Sequence, residues 1–390
     1  MNRENWISEV LAGLREKGLE RKLQVYPESG GRVRLGDRTY LNFSSNDYLD
    51  LTHHPRVLAA AEDAVRRFGA GSGASRLVTG TLPIHEELEQ RLAGFKGYPA
   101  ALVFGSGYLA NTGTISSLVG RGDAVFADKL CHASILDAIT LSRAKLIRFQ
   151  HNDPQHLEEL LRKRQAAGRR LVVTESVFSM DGDLAPLPEL CALAEKHDAM
   201  IMVDEAHATG VFGPRGSGLL REHHLESAVN VSMGTLSKAM GGYGGFVACS
   251  TALRDLLVNR ARGLIYTTAL PPAAAGAALG ALDVLGQETD LGERLLLRAA
   301  FFRKHLAAAG LDTMQSASQI IPLLVGNNAK TLALSQRLRE QGLLAAAIRP
   351  PTVPAGTARL RLSVTLAHTE GDLKAAADTI AASARAEGLM

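Results

Sequence analysis

The chain predicts an α/β protein in two parts: a large domain on a seven-stranded, mostly parallel sheet wrapped by helices, then a smaller α+β C-terminal domain. Three observations predict it. From residue 100 onward, short apolar runs alternate with helix-like segments, the order that closes a parallel sheet through helical crossovers. The last two runs of that series, 229–232 and 246–248, lie too close for a crossover of about a dozen or more residues, so the seventh strand runs antiparallel. Past residue 285 a few strands are spaced by longer helices, which reads as a separate unit.

The elements follow in order. Trp6, Val10 and Leu14, with Ile7 and Leu11, share one face of a helix over 5–23, and Arg15, Glu16 and Lys17 take the other side. Residues 33–35 and 39–41, joined by Gly36-Asp37, read as a hairpin. Polar, turn-forming residues 42–49 then lead to a helix over 55–68. The glycine-rich stretch 69–76 is not a dinucleotide fingerprint, because such a loop must follow a strand and this one follows a helix; it reads as a freely moving substrate loop. The seven strands are 101–104, 124–127, 145–149, 171–175, 200–204, 229–232 and 246–248. Residues 264–282 are almost free of charge, but Pro271-Pro272 interrupts them and Ala and Gly dominate, so a buried helix from 273 to about 285 is expected rather than a membrane span. Strands at 320–325, 343–348 and 360–364 then alternate with helices near 330–341 and 370–387. The expected divisions are 1–45 for the N-terminal helix and hairpin, 46–285 for the large domain and 286–390 for the C-terminal domain.

Composition narrows the function. A chain of 390 residues, 46% hydrophobic, can bury a large core. Its 43 Lys and Arg against 40 Asp and Glu give a net charge of only +3, spread along the chain, which argues against nucleic acid. Cys131, Cys191 and Cys249 are odd in number and far apart, which suits a reducing, cytoplasmic setting. Glu4 and Glu9 with no apolar core behind them argue against a secretory leader. Adjacent pairs His53-His54 and His223-His224 point apart, and no His-Glu-x-x-His occurs, so no metal is expected.

One lysine stands out. Lys238 follows a β-rich run, has hydroxyls at Thr235 and Ser237, and is followed by Gly241, Gly242, Gly244 and Gly245, which let a flat ligand approach the backbone. A partly desolvated lysine loses its proton more readily, and the neutral amine can form a Schiff base with an aldehyde. In open α/β sheets ligands bind beyond the carboxyl ends of the strands. Those ends carry Gly105-Ser106-Gly107-Tyr108, Cys131-His132-Ala133-Ser134, Ser179, Asp204-Glu205-Ala206-His207, and Thr235 with Lys238. An Asp at a strand end is often only a cap and a lone His is usually structural, but independent caps have no reason to converge on a lysine.

The pattern Thr-x-Ser-Lys-Ala-x-Gly-x-x-Gly resembles the lysine site of class II pyridoxal-phosphate aminotransferases and their relatives, the α-oxoamine synthases. That resemblance covers nearly the whole chain and implies the fold-type I architecture with pyridoxal 5'-phosphate (PLP) as cofactor. PLP works as an electron sink while its ring nitrogen is protonated, which calls for a facing carboxylate; Asp204 fits. His207 suits the ring oxygen and His132 the ring face. Thr235, Ser237 and the Gly107 and Tyr108 amides suit the phosphate, with Ser179 a further cofactor contact. Lys238, His132, Asp204 and His207 are the implied catalytic set.

Within the family, Leu41 to Leu49, Val177 to Asp183 and Ile348 to Gly356 point to the branch that condenses L-alanine with pimeloyl-CoA or pimeloyl-carrier protein, releasing CO2 and free thiol. Arg349 suits the alanine carboxylate because its planar fork gives two parallel charge-assisted bonds, with Asn46 and His132 assisting. Arg21 and Thr352 look like the acyl-substrate contacts. The resemblance also implies a homodimer with the site at its interface and Thr267 or Thr268 reaching the partner's phosphate. Asp50 stands where the family commonly has Gly, a departure expected to alter only a local turn. A short-acyl synthase such as glycine C-acetyltransferase, a plain aminotransferase and a non-catalytic partner subunit are the alternatives; the 349–354 stretch speaks against the first two, and the presence of Lys238, Asp204 and His207 against the third.

Overall fold

Two short strands, β1 (Arg32–Leu35) and β2 (Arg38–Asn42), pair antiparallel as the Gly36-Asp37 turn requires. The computed structural model describes residues 3–21, 23–28, 30–163 and 168–389. Its central sheet comprises β3 (Ala100–Phe104), β4 (Ala124–Asp128), β5 (Lys145–Phe149), β6 (Arg170–Glu175), β7 (Met200–Asp204), β8 (Val231–Thr235) and β9 (Gly245–Cys249). The spatial order is β3-β9-β8-β7-β6-β4-β5. The pairs from β8 through to β5 are parallel, and β9 runs antiparallel between β8 and β3. The short connection thus forces the reversal read from the sequence.

Apart from β5, which lies at the sheet edge and exposes Lys145 and Arg148, these strands are buried along almost their whole length because both sheet faces are covered. On one face Phe104, Val125, Val173, Met202 and Val247 pack with Ile115, Ile135 and Leu257 of three helices. On the other, Val103, Phe126, Val172, Val203 and Phe246 pack with Leu88, Leu92 and Leu279. The Pro55–Phe68 and Pro272–Gln287 helices lie unusually close: a Cβ on Gly276 would stand 2.5 Å from the Ala60 carbonyl oxygen, so a small residue is obligatory there. That contact explains the small-residue composition of the uncharged stretch. Among the described residues no helix is long and apolar enough to cross a membrane.

The C-terminal strands are β10 (Ile320–Gly326), β11 (Leu343–Leu344), β12 (Ala346–Ile348) and β13 (Ala358–Ser363). β10, β13 and β12 form one antiparallel sheet, while β11 pairs parallel with β2. The single strand expected over 343–348 is therefore split between two sheets at Ala345. Other boundaries move for local reasons. The first helix is Asn5–Glu16, because Gly18 adopts φ 61° and Leu19 N–H turns back to the Leu14 carbonyl. None of its residues is buried. The β8 ladder starts at Val231, since the Ala228 and Val229 amides are spent on the Leu225 carbonyl.

Asp50, expected to alter a local turn, holds φ 58°. The left-handed region costs an L-residue about 1–2 kcal/mol, and glycine's greater chain entropy returns about half of that. Asp50→Gly should therefore raise stability by roughly 0.5 kcal/mol, read as a higher urea midpoint at unchanged m. A lower midpoint would show that the Asp50 side chain makes a compensating contact.

Candidate active site

The carboxyl ends of β4, β6, β7 and β8 bring the predicted polar residues to one rim. Lys238 opens the turn from β8 to β9 and is half-buried, its amine enclosed by protein. Nζ lies 2.9 Å from His207 Nε2. His207 Nδ1 in turn lies 2.7 Å from the hydroxyl of Tyr48, which is wholly buried. The Tyr48 hydroxyl donates to Asn46 Oδ1 at 3.2 Å and accepts from Arg361 at 3.2 Å. Arg361, buried on β13, also donates to Asn46 Oδ1 at 3.1 Å, to Ser363 Oγ at 2.9 Å and, through Nε, to the Ser179 carbonyl at 2.6 Å.

A second network holds the carboxylate side. Asp204 Oδ1 accepts from the Ala206 amide at 2.9 Å, and Oδ2 from Asn111 Nδ2 at 2.9 Å. Asn111 also donates to Ser134 Oγ, which lies 2.8 Å from His132 Nδ1. The parallel register sets Glu175 directly beside Asp204, and Glu175 Oε1 accepts from the His132 amide at 2.6 Å. His132 is thus pinned from its backbone and from its ring.

The electrostatics follow from burial. Burial lowers the Lys238 amine to about 8, against the pull of Asp204 and Glu175 and with help from Arg361. Burial, then Lys238 and Arg361, push His207 well below its ordinary value, so its ring is neutral at neutral pH. Burial also depresses His132, opposed by Asp204. Burial and the neighbouring Asp204 raise Glu175 to about 8. The rim therefore combines an amine able to gain or lose a proton near neutrality with two neutral imidazoles.

A candidate phosphate cradle lies where β3 meets the Gly107–Leu118 helix. Ser106 caps that helix by accepting from the Leu109 amide at 3.1 Å, while the Gly107 and Tyr108 amides belong to the first turn, where no intrahelical acceptor exists. A Cβ on Gly107 would stand 3.0 Å from Met233 Cε and 3.6 Å from Thr235 Oγ1, so glycine is what lets the helix start descend onto β8. Across from it, Thr235 Oγ1 and Ser237 Oγ are 2.7 Å apart. Amides, hydroxyls, a carboxylate, a neutral imidazole and a low-basicity amine along one rim suit PLP: Gly107, Tyr108, Thr235 and Ser237 for the phosphate, Asp204 for the ring nitrogen, His207 for the ring oxygen, Lys238 for the aldehyde.

The outer predictions fall in a separate cleft of about 660 Å³ between the Asn5–Glu16 helix and the 347–352 stretch, lined by Leu11, Leu14, Arg21, Arg349 and Thr352 among others. There Arg21 donates weakly to Thr352 Oγ1 at 3.5 Å and Arg349 donates to the Gly18 carbonyl. Asn46, expected beside Arg349, takes Arg361 as its partner. The 69–76 stretch, read as a freely moving loop, is tied down instead: Ser75 bridges Thr268, Ser72 Oγ donates to the Leu270 carbonyl, and Arg76 grips Glu89 with two bonds. Thr267 Oγ1 donates to the Gly263 carbonyl. Four members of the inner networks, Tyr48, Asn111, Glu175 and Arg361, have no assigned role in the motif reading. A signal existed for Arg361: in Ala-Arg-Leu-Arg-Leu-Ser two arginines alternate on one face of an otherwise apolar strand.

Residues 38–380 match the family described as aminotransferase class I and II. An 8-amino-7-oxononanoate synthase from Geobacter sulfurreducens is 50% identical over 378 residues, covering 96% of this chain and 97% of the relative. A solved structure of SPT with a PLP internal aldimine superposes with a TM-score of 0.92 at 33% identity, covering 100% of this chain and 99% of the other. The 8-amino-7-oxononanoate synthase of Francisella tularensis superposes with a TM-score of 0.77 at 31% identity, covering 90% and 99%.

Proposed function

The chain belongs to the aminotransferase class I and II family, in its 8-amino-7-oxononanoate synthase branch, and on that premise we propose that it joins L-alanine to a pimeloyl thioester. The donor is pimeloyl-CoA or pimeloyl-carrier protein, and the products are 8-amino-7-oxononanoate, CO2 and free thiol, a step of biotin biosynthesis. The observation that carries this reading is the Lys238 amine, lowered to about 8 and held 2.9 Å from a neutral His207 in a network that ends on a buried arginine.

When bound, PLP supplies an electron sink for charge developing at the amino-acid Cα. The chain's own groups do the rest. Lys238 would hold the cofactor through its amine and is the group placed to take the amino-acid Cα proton and return one; an amine near 8 suits both directions. Asp204, fixed by the Ala206 amide and Asn111, would face the ring nitrogen. His132, pinned by Glu175 and Ser134, would cover the ring face. Arg361 with Asn46 is the inner receptor for the alanine carboxylate, because it shares hydrogen bonds with the lysine's own network. Arg349, expected at the alanine carboxylate, instead lines the outer cleft with Arg21 and Thr352, where the three suit the acyl chain and its far carboxylate.

In this proposal the chain works as a cytoplasmic homodimer in which Thr267 or Thr268 of each chain reaches the partner's phosphate. Three buried, unpaired cysteines support a reducing setting. Residues 46–285 supply the cofactor groups, and 286–390 supply Arg349, Thr352 and Arg361.

The test is to incubate the PLP-loaded protein with L-alanine and acetyl, pimeloyl and palmitoyl thioesters, following thiol release and identifying the amino ketone. Thiol release with the pimeloyl donor and an 8-amino-7-oxononanoate product are expected; preference for the acetyl or palmitoyl donor would reject the substrate assignment. Arg361→Met should raise the alanine KM about 100-fold, the loss expected for a charged hydrogen-bond pair. Arg349→Met should instead act mainly on the acyl-donor KM. The reverse pattern would exchange their roles.

A further inference from the structure

His151 lies outside the site, in the turn after β5. Its Nδ1 is 3.0 Å from Asp128 Oδ1 at the end of β4, and its Nε2 is 2.8 Å from Asp183 Oδ2. Phe178 packs edge-on against the ring at 4.4 Å. Each ring nitrogen faces a carboxylate, so both carry protons and the imidazole is a cation. Burial opposes that charge, but Asp128 and Asp183 overcome it and raise the basicity to about 10. Asn152 doubles the brace: its amide donates to Asp128 Oδ2 at 2.9 Å, and its Nδ2 to Asp183 Oδ2 at 2.7 Å and to the Leu184 carbonyl at 3.1 Å.

The braced object is a tight turn, closed by the Val177 to Leu184 bridge and by the Phe178 amide on the Asp183 carbonyl at 3.1 Å. This turn meets β13 twice. Asp181 pairs with Arg359, and the Ser179 carbonyl accepts from Arg361 Nε at 2.6 Å. Arg361 extends its other nitrogens to Asn46 and Tyr48. From His151 to Arg361 the path is therefore two hydrogen bonds and one closed turn.

We propose that His151 is a positioning residue: clamped as a cation between Asp128 and Asp183, it fixes the turn whose Ser179 carbonyl aims Arg361 at the carboxylate of the amino-acid substrate. This rests on the reaction proposed above. A neutral side chain cannot replace it. Glutamine brings its donors and its acceptor on one amide, so one of the two carboxylates is left facing an oxygen or nothing.

The experiment compares the full-length, PLP-loaded wild type with His151→Gln and Asp183→Asn. Steady-state kinetics give both KM values and kcat. The alanine Kd is read separately from the cofactor's absorbance change without any acyl donor. His151→Gln should raise the alanine KM and Kd about tenfold, a misaimed charge-assisted bond rather than a lost one, with kcat and the acyl-donor KM within about twofold. Asp183→Asn keeps an acceptor but drops a charge, so it should shift the same two quantities about threefold. An unchanged alanine Kd in either folded variant, or an equal fall in every parameter, overturns the proposal. Should His151→Gln not fold, Asp183→Asn decides alone. A wild type that binds alanine but releases no thiol with the pimeloyl donor would instead fail the assigned reaction, and the Kd comparison would still decide the role of His151.

Discussion

Lys238→Ala is expected to abolish turnover, lowering thiol release by more than about 10⁴-fold, since it removes both the covalent anchor and the general base. The phosphate cradle and Asp204 remain, so the variant should still bind cofactor, without the long-wavelength absorbance of a lysine-bound aldehyde. Lys238→Arg should be as inactive, because a guanidinium does not give up its proton. The stability sign separates a catalytic from a structural role. The amine's folded value, about 8, lies below the usual lysine value, so the fold disfavours its charge, fully below about pH 8 and not at all above the unfolded value. At pH 7 the cofactor-free Lys238→Ala protein should therefore unfold no more easily than the cofactor-free wild type. Turnover within tenfold of wild type would remove the lysine from the mechanism.

The largest stability loss is expected from Lys96→Met. Lys96 ends the Pro83–Lys96 helix and is 1% exposed, with Nζ 2.6 Å from Glu205 Oε2, 2.7 Å from the Ser217 carbonyl and 3.4 Å from Thr209 Oγ1. Glu205, fully buried, also accepts from the Leu220 amide at 3.0 Å and Ser232 Oγ at 2.9 Å. Removing one partner strands the other's charge, which costs about 3–5 kcal/mol in buried pairs. Replacing both, as Lys96→Met with Glu205→Gln, should recover most of that loss. Denaturant unfolding reads both values, and a single-variant loss under about 1 kcal/mol would show that water reaches the pair. Because Glu205 follows Asp204 directly, the two carboxylates emerge on opposite faces of one strand end: one serves the rim, the other anchors the strand that carries it.

Much of this was legible before any coordinates. Most central strands are legible as apolar runs, since burial on both faces leaves little polar alternation, although β5 at the sheet edge exposes Lys145 and Arg148; the reversal of β9 follows from the short connection alone. Lys238, Asp204 and His207 were legible because strand ends deliver them to one place. The Pro83–Lys96 helix is not legible: it begins on a proline, and its buried face includes His85 and Lys96, which look like surface residues in a sequence. Arg361 was missed for a related reason. Its placement depends on the Ser179 turn and on Tyr48, more than 180 and 300 residues away in sequence, and no local spacing encodes that meeting. Arg349 was easier to see because its proline-rich surroundings form a motif, although that motif lines the outer cleft.

The lysine's segment joins two interior strands directly, β8 to β9, each flanked on its far side by another strand. Swinging it aside would mean peeling the middle of the sheet apart, so it behaves as fixed masonry and not as a door. The cleft assigned to the acyl chain has a different wall, where an N-terminal helix with no buried residue meets the 347–352 stretch. Efforts to retune which acyl chains are accepted should graft there, where a changed loop leaves the foundation untouched.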